Sequence, residues 1–303
     1  MADAALPVNG LAIRCMRLLL AAAAVLLLCS CTAIKFAYNN AEGVIRLAAW
    51  DYLDLEDEQE DAFKLQIAKY MDWHRREEMP VYARLAGEAA DRLARRISAD
   101  DVTWAIAQGR TRYRAAAARA ARESAPVLAT LTENQLAVLR KRLNRSNTKF
   151  EKEFLTGDEA RRHKARRKRM IDNIEDWTGD LTTAQEARVD KFVRDHPRSS
   201  ERRYAERLRW QAELLGVLRA NRDPEALAAK LVLLFSEPER GRSEEYTVAT
   251  RRWEADLAQM MVELDATLSA EQRRRAINRI AGFASDFRDL AGDAPPRPQA
   301  RLD

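Results

Sequence analysis

Residues 131–154 read LTENQLAVLRKRLNRSNTKFEKEF. Leu136, Leu139, Leu143, Phe150 and Phe154 recur at helical steps, which puts them on one face of a 3.6-residue helix. The residues between them are mostly charged or polar, so the other face is solvated. A helix start leaves four amides without intrahelical acceptors. Thr132 answers that need as the capping residue. Gln135, three residues on, reaches back to the cap's own amide, and Leu131 staples onto the first turn. An amphipathic helix of this kind must bury its stripe against another element.

The same periodicity runs outward in both directions. Phe63, Ile67, Tyr70 and His74 share a face, as do Tyr82, Leu85, Ala89 and Leu93. Later stripes are Tyr204, Leu208, Gln211, Leu215 and Leu218, then Trp253, Leu257, Met260, Leu264 and Leu268, then Ile277, Ile280, Ala284 and Phe287. Strand signals, meaning alternating β-branched and aromatic runs between turn residues, are absent. Only 10 glycines and 9 prolines interrupt 303 residues, and the charged third of the chain mixes both signs to a net +5. That balance suits long solvated helices rather than a nucleic-acid binder. The pattern predicts an all-α protein, an elongated bundle of mostly antiparallel helices, about nine or ten in number. Ser98 with Asp101 and Asp223 before Pro224 mark further helix starts. Breaks are expected near Pro126, Gly157, Pro197, Pro238 and Gly241, and Pro80 either kinks or divides a long helix. A soft domain boundary is expected near 157–179.

The capping phrase recurs. Residues 181–185 are LTTAQ, residues 268–272 are LSAEQ, and residues 55–59, LEDEQ, keep only the leucine and glutamine. LTxxQ resembles the signature of Spy/CpxP-type periplasmic stress chaperones, which are small helical proteins, and that resemblance implies shielding of a client. Local capping physics alone also produces such a phrase. Lipase-specific foldases are similarly helical and tethered, but no decisive foldase motif is present.

Leu28-Cys29-Ser30-Cys31 closes an apolar run, 18–28, that follows Arg14 and Arg17. The run is shorter than the ~20 residues a bilayer span needs and suits a signal-peptide core. The tetrad resembles a bacterial lipobox, which implies a lipid on Cys31 and cleavage before it. The expected division is a signal peptide over 1–30, a helical lipoprotein domain over 31–293 and a disordered tail over 294–303. Met16 is as good a start as Met1. Thr32 rather than an aspartate follows the cysteine, which resembles outer-membrane lipoproteins facing the periplasm. The cysteines are Cys15, Cys29 and Cys31, so the domain beyond 31 has no disulfide, thiol nucleophile or thiolate zinc site. Lys35 to Asn40, Asp51 to Leu55, and Trp73 to Pro80 with Tyr82 resemble a family of uncharacterised proteobacterial helical lipoproteins, a domain of unknown function. This resemblance supports the lipoprotein reading and supplies no chemistry.

Catalytic raw material is thin. The histidines are His74, His163 and His196. None follows a carboxylate by three residues, and HExxH, GxSxG and phosphate-cradling glycine loops are missing. His74 and Glu78 lie one turn apart, which alone supplies too few metal ligands, so neither metal nor cofactor is expected. Trp73, His74, Arg75, Arg76, Glu78 and Tyr82 crowd the approach to Pro80, either as a partner groove or as a well-tied junction. The acidic stretch Asp51 to Asp61 reads as a helix start that complements the dipole. Arg161, Arg162, Lys164, Arg166, Arg167, Lys168 and Arg169 are a candidate surface for an acidic partner, anionic lipid or lipopolysaccharide, or a solvated helix end. Nucleic acid is not expected of an exported domain. The leading expectation is a non-enzymatic, lipid-anchored envelope protein that binds another macromolecule, chaperone-like or as an assembly factor. The alternatives are a structural envelope lipoprotein and, more remotely, a hydrolase or metal-binding protein.

Overall fold

The computed structural model describes residues 34–292. The apolar run 18–28, Cys31 and the tail from Ala294 lie outside the described residues. The chain forms two compact units, Met1–Ala41 and Glu42–Asp303. In the first, residues 34–39 are helical and the Asn40 side-chain amide donates to the Phe36 carbonyl at 2.7 Å.

The remaining helices are α1 (Ala41–Leu53), α2 (Asp57–Trp73), α3 (Met79–Ala94), α4 (Ala99–Leu128), α5 (Glu133–Phe154), α6 (Glu159–Thr178), α7 (Thr183–Asp195), α8 (Ser199–Ala220), α9 (Pro224–Ser236), α10 (Glu244–Asp265) and α11 (Ala270–Gly292). A π-helical turn, His74–Glu78, joins α2 to α3 without a break, so these eleven labels describe ten continuous helices. No strand occurs among the described residues, and the protein is all-α.

Contacts in opposite chain order establish antiparallel packing. Arg75, Tyr82 and Leu93 meet Leu290, Phe287 and Arg273 of α11. Gln59 meets Thr130, while Trp73 at the other end of α2 meets Arg119 of α4. Glu133, Asn147 and Glu151 of α5 meet Arg219, Gln211 and Tyr204 of α8.

Two buried clusters hold these helices. The quoted stretch supplies Leu131, Leu136 and Leu139 to the first, where they join Leu214, Leu218, Leu227, Leu231 and Leu234. Each fully buried leucine contributes about 2 kcal/mol. Ala121 and Ala125 are fully buried in the same cluster, so their small side chains let α4 and α9 approach closely. The second cluster gathers Ile171, Leu181, Val189, Phe192, Val193, Met260 and Leu264 from α6, α7 and α10 and the turn before α7. Residues 157–179 lead from the first core into the second, and α8 and α9 then return to the first.

The capping boxes form at Ser98, Thr132, Thr182 and Ser269, and at Glu56 in the phrase that lacks a threonine. Their glutamines also do something the phrase did not announce. Each accepts its own cap amide at Oε1 and turns Nε2 to a second phrase. Gln135 donates to the Asp54 carbonyl at 2.8 Å and Gln59 to the Thr130 carbonyl at 3.2 Å. Gln185 donates to the Thr267 carbonyl at 3.0 Å and Gln272 to the Asp180 carbonyl at 2.8 Å. In every case the acceptor is the residue just before the partner phrase's leucine. The two amides of each pair also bond to one another. Four helix starts thus become two reciprocal pairs, α2 with α5 and α7 with α11.

Two expectations change in detail. Pro126 does not break α4, which runs two residues past it; an exposed proline in a last turn removes one hydrogen bond where water can replace it. Leu208 is exposed rather than part of its stripe, and Leu214 takes the buried place. The α8 face that faces the core runs through Gln211, Leu214 and Leu218, a step of three and then four. Pro80 does not divide the rod. The preceding π turn carries the Met79 amide to the His74 carbonyl, five residues back, and this wider register absorbs the lost proline donor.

Candidate functional site

The π turn gathers the junction residues. Tyr70 stacks on His74 at 5.6 Å, Trp73 meets His74 edge-on at 6.1 Å, and Tyr82 meets it at 5.5 Å. The ladder continues through Tyr82 to Phe287, Phe283 and Trp177. The Tyr82 hydroxyl lies 3.4 Å from His74 Nε2, and burial pushes the His74 pKa down. Arg75 donates to the Leu290 carbonyl at 3.3 Å and Arg76 pairs with Asp72 at 2.8 Å. Glu78 is buried, 3.4 Å from Arg112, and its Oε2 has no hydrogen-bond partner. Burial pushes its pKa up, against the opposing pull of Arg112. The side chains therefore knit α2, α3, α4 and α11 together at one point. No group of three potential metal-ligating side chains gathers here or elsewhere among the described residues.

The basic run on α6 is mostly committed to partners inside the protein. Arg166 is buried and pairs with Glu159 at 2.5 Å; Arg162 bonds Glu159 and the Gly157 carbonyl. Arg167 pairs with Glu186 at 2.5 Å, Lys168 with Asp172 at 2.7 Å, and Arg169 lies over the Phe154 ring at 4.6 Å. Arg161 and Lys164 are exposed. The acids of α6 and α7 thus neutralise much of the charge that the linear sequence displays.

A third place was not marked by any motif. A half-open cavity of about 400 Å³ lies between α3, α4, α6, α10 and α11. Its walls are almost wholly apolar and include Leu93, Ile97, Trp104, Ile174, Trp177, Met261, Leu264 and Ile280. Arg92 stacks on Trp104 at 4.1 Å and Arg279 on Trp177 at 5.1 Å. Asp101 at its edge accepts the Ser98 amide at 2.9 Å, Arg92 at 2.5 Å and Arg95 at 2.9 Å. The Ser98 amide first, then the guanidiniums, hold its carboxyl far below the usual carboxylate range. Asp265, also at the cavity, takes Arg273 at 2.8 Å. Trp177 ends the aromatic ladder, so the junction and the cavity are contiguous. Several wall residues belong to stripes legible in the sequence. Nothing in the sequence told that five helices would meet without filling the space between them.

His196 is also buried, 3.2 Å from Asp256, and burial pushes its pKa down. It borders a cleft of about 340 Å³ with Ser199 and Trp253. Neither this cleft nor the apolar cavity is lined by the junction residues Trp73 to Tyr82.

No curated protein and no solved structure matches the chain. A family of unknown function, DUF6279, matches residues 51–247, which include Asp51 to Leu55, the whole junction, the π turn and the basic run. That match spans more than half of the 303 residues, and the chain belongs to the DUF6279 family.

Proposed function

We propose that this chain is a lipid-anchored cell-envelope protein, non-enzymatic, that binds another macromolecule by an apolar part of that partner, in a chaperone-like or assembly role. The observation that carries the reading is the open apolar cavity walled by five helices. Ligand-binding clefts are typically of this size, mostly apolar and furnished with few polar groups. Thr32 rather than an aspartate after Cys31 supports a periplasm-facing position at the outer membrane, and the lipobox-like tetrad at 28–31 supports the anchor. So does α1, which begins ten residues after Cys31 and exposes Val44, Leu47 and Trp50 at 65%, 66% and 57%. These exposed apolar side chains follow closely in sequence on the lipid-bearing position, and tryptophan is favoured at a membrane–water interface. No described helix is long and apolar enough to cross a membrane.

Two measurements test the reading. In cells fed a labelled fatty acid, Cys31→Ser should lose the label and leave the membrane fraction or stay unprocessed. Persistent labelling would remove the anchor. The full chain in lipid nanodiscs should suppress aggregation of a chemically unfolded client, and suppression should survive high salt, because an apolar cavity rather than the internally paired basic run carries it. No suppression at several-fold excess would remove the client-binding role.

A further inference from the structure

We propose that the cavity between α3, α4, α6, α10 and α11 is a site for a long-chain acyl group carried by an anionic amphiphile. The inference rests on the binding role above and names what fills the site. Size comes first. A cavity of about 400 Å³ has room for a flexible chain. A ten-residue helix, about 15 Å long and at least 10 Å across, does not fit in it.

Wall chemistry narrows the class. Leu93, Ile97, Ile174, Met261 and Ile280 offer no hydrogen bond, and no buried unpartnered polar atom lines the cavity. A sugar, a nucleotide or a peptide backbone placed there would leave its polar groups unsatisfied, so a protein client enters only by its apolar side chains. An acyl chain forfeits no hydrogen bond by entering and gains from each methylene removed from water. Trp104 and Trp177 supply flat walls, each backed by a stacked guanidinium. Met261 adds an unbranched, adaptable side chain suited to a chain-like guest.

Edge chemistry selects the head. Arg92, Asp101 and Asp265 line the cavity itself, and Arg95 and Arg273 pair with those two carboxylates from beyond the lining, so three guanidiniums face two carboxylates at this edge. The excess is one positive charge, and Arg95 is the exposed member, at 59%. An anionic head beside Arg95 would complement that excess while its chain enters between Trp104 and Trp177.

The test is photolabelling of the full chain in the cells that produce it, fed palmitic acid bearing a diazirine and an alkyne. Ultraviolet-dependent adducts are mapped to peptides by mass spectrometry, which separates them from any light-independent lipid on Cys31. Adducts are expected on peptides carrying Ile174, Met261 or Ile280. The adduct mass tells a free fatty acid from an acyl chain on a larger lipid. Ala105→Trp places an indole in the cavity from its α4 wall, where Ala105 lies. Every two methylenes it displaces should lower labelling about ten-fold, while Ala107→Trp, off the cavity, should not. Ala89→Leu replaces Ala105→Trp if helicity by circular dichroism falls. Adducts that are absent, spread over other helices, or indifferent to the filling variant would overturn the acyl assignment. If such a chain still suppresses client aggregation in a way the filling variant abolishes, the acyl assignment alone fails; if suppression is also missing, the binding role fails with it.

Discussion

Burial of the Glu78 carboxylate against a single guanidinium 3.4 Å away leaves its second oxygen without a hydrogen bond. Such a group costs stability in its charged form. Its pKa is raised in the fold, so the folded state holds this proton more tightly than the unfolded chain does. Stability contributed by the protonated form is present below the unfolded pKa and is lost as pH rises through the folded one. Glu78→Gln removes the charge and keeps the shape. It should raise stability by about 1 kcal/mol at neutral pH, and the gain should vanish near about pH 4, where the native side chain is itself protonated. Urea denaturation of both proteins at the two pH values checks this. A loss of stability at neutral pH would mean the Arg112 pair outweighs the burial of the charge. The sequence put Glu78 and its neighbours together as a crowded junction. It did not tell that Glu78 would be the member left short of a partner, because that depends on which face of α4 arrives beside it.

At the scale of helices, local rules were legible and their tertiary use was not. The phrases at 131–135, 181–185 and 268–272 announce helix starts, and helices start there. The phrase at 55–59 lacks a threonine, yet Glu56 caps in its place. A capping box involves four neighbouring residues and can be read from a line of text. The cross-pairing of Gln59 with Gln135 and of Gln185 with Gln272 joins residues 76 and 87 positions apart, and no local rule reports it. It has an energetic signature. Gln185 and Gln272 share buried amide bonds, so their alanine substitutions should be non-additive by at least about 0.5 kcal/mol. Gln135 and Gln272 belong to different pairs and should add. A double-mutant cycle measured by denaturant unfolding separates the two outcomes, and additivity within the 185–272 pair would reduce the glutamines to plain caps. The basic run on α6 carries the same lesson. Arg166 and Arg167 read as an anion surface in isolation, but Glu159 and Glu186 reach them from the start of α6 and from α7.

At the scale of the whole molecule, the cavity touches helices from distant parts of the chain. Its walls include Leu181 and Leu264 of the second core and residues of α3, α4 and α11. A ligand seated there contacts five helices at once and should stabilise the molecule as a unit. Palmitate at about one hundred times its dissociation constant should raise the unfolding free energy by about 2.7 kcal/mol. Thermal unfolding followed by tryptophan fluorescence, to which Trp104 and Trp177 of the cavity contribute, and by circular dichroism should shift together. A shift confined to fluorescence would place the ligand on the surface rather than across the helices.

The sequence by itself determined the all-α class, the helix starts and most buried stripes, because periodicity and capping act over one or two turns; that Pro80 disturbs a helix was legible, but the π turn that accommodates it was not. Membership of the DUF6279 family, matched over residues 51–247, is likewise a property of the sequence. Only the tertiary structure decided the glutamine pairs, the neutralisation of the basic run, the orphaned oxygen of Glu78 and the cavity. Each depends on which faces meet across tens to hundreds of residues, and on whether their side-chain volumes fill the space between them. A stripe states that a face is buried; the shape of what it is buried against, and any room left over, exists only once the helices are packed.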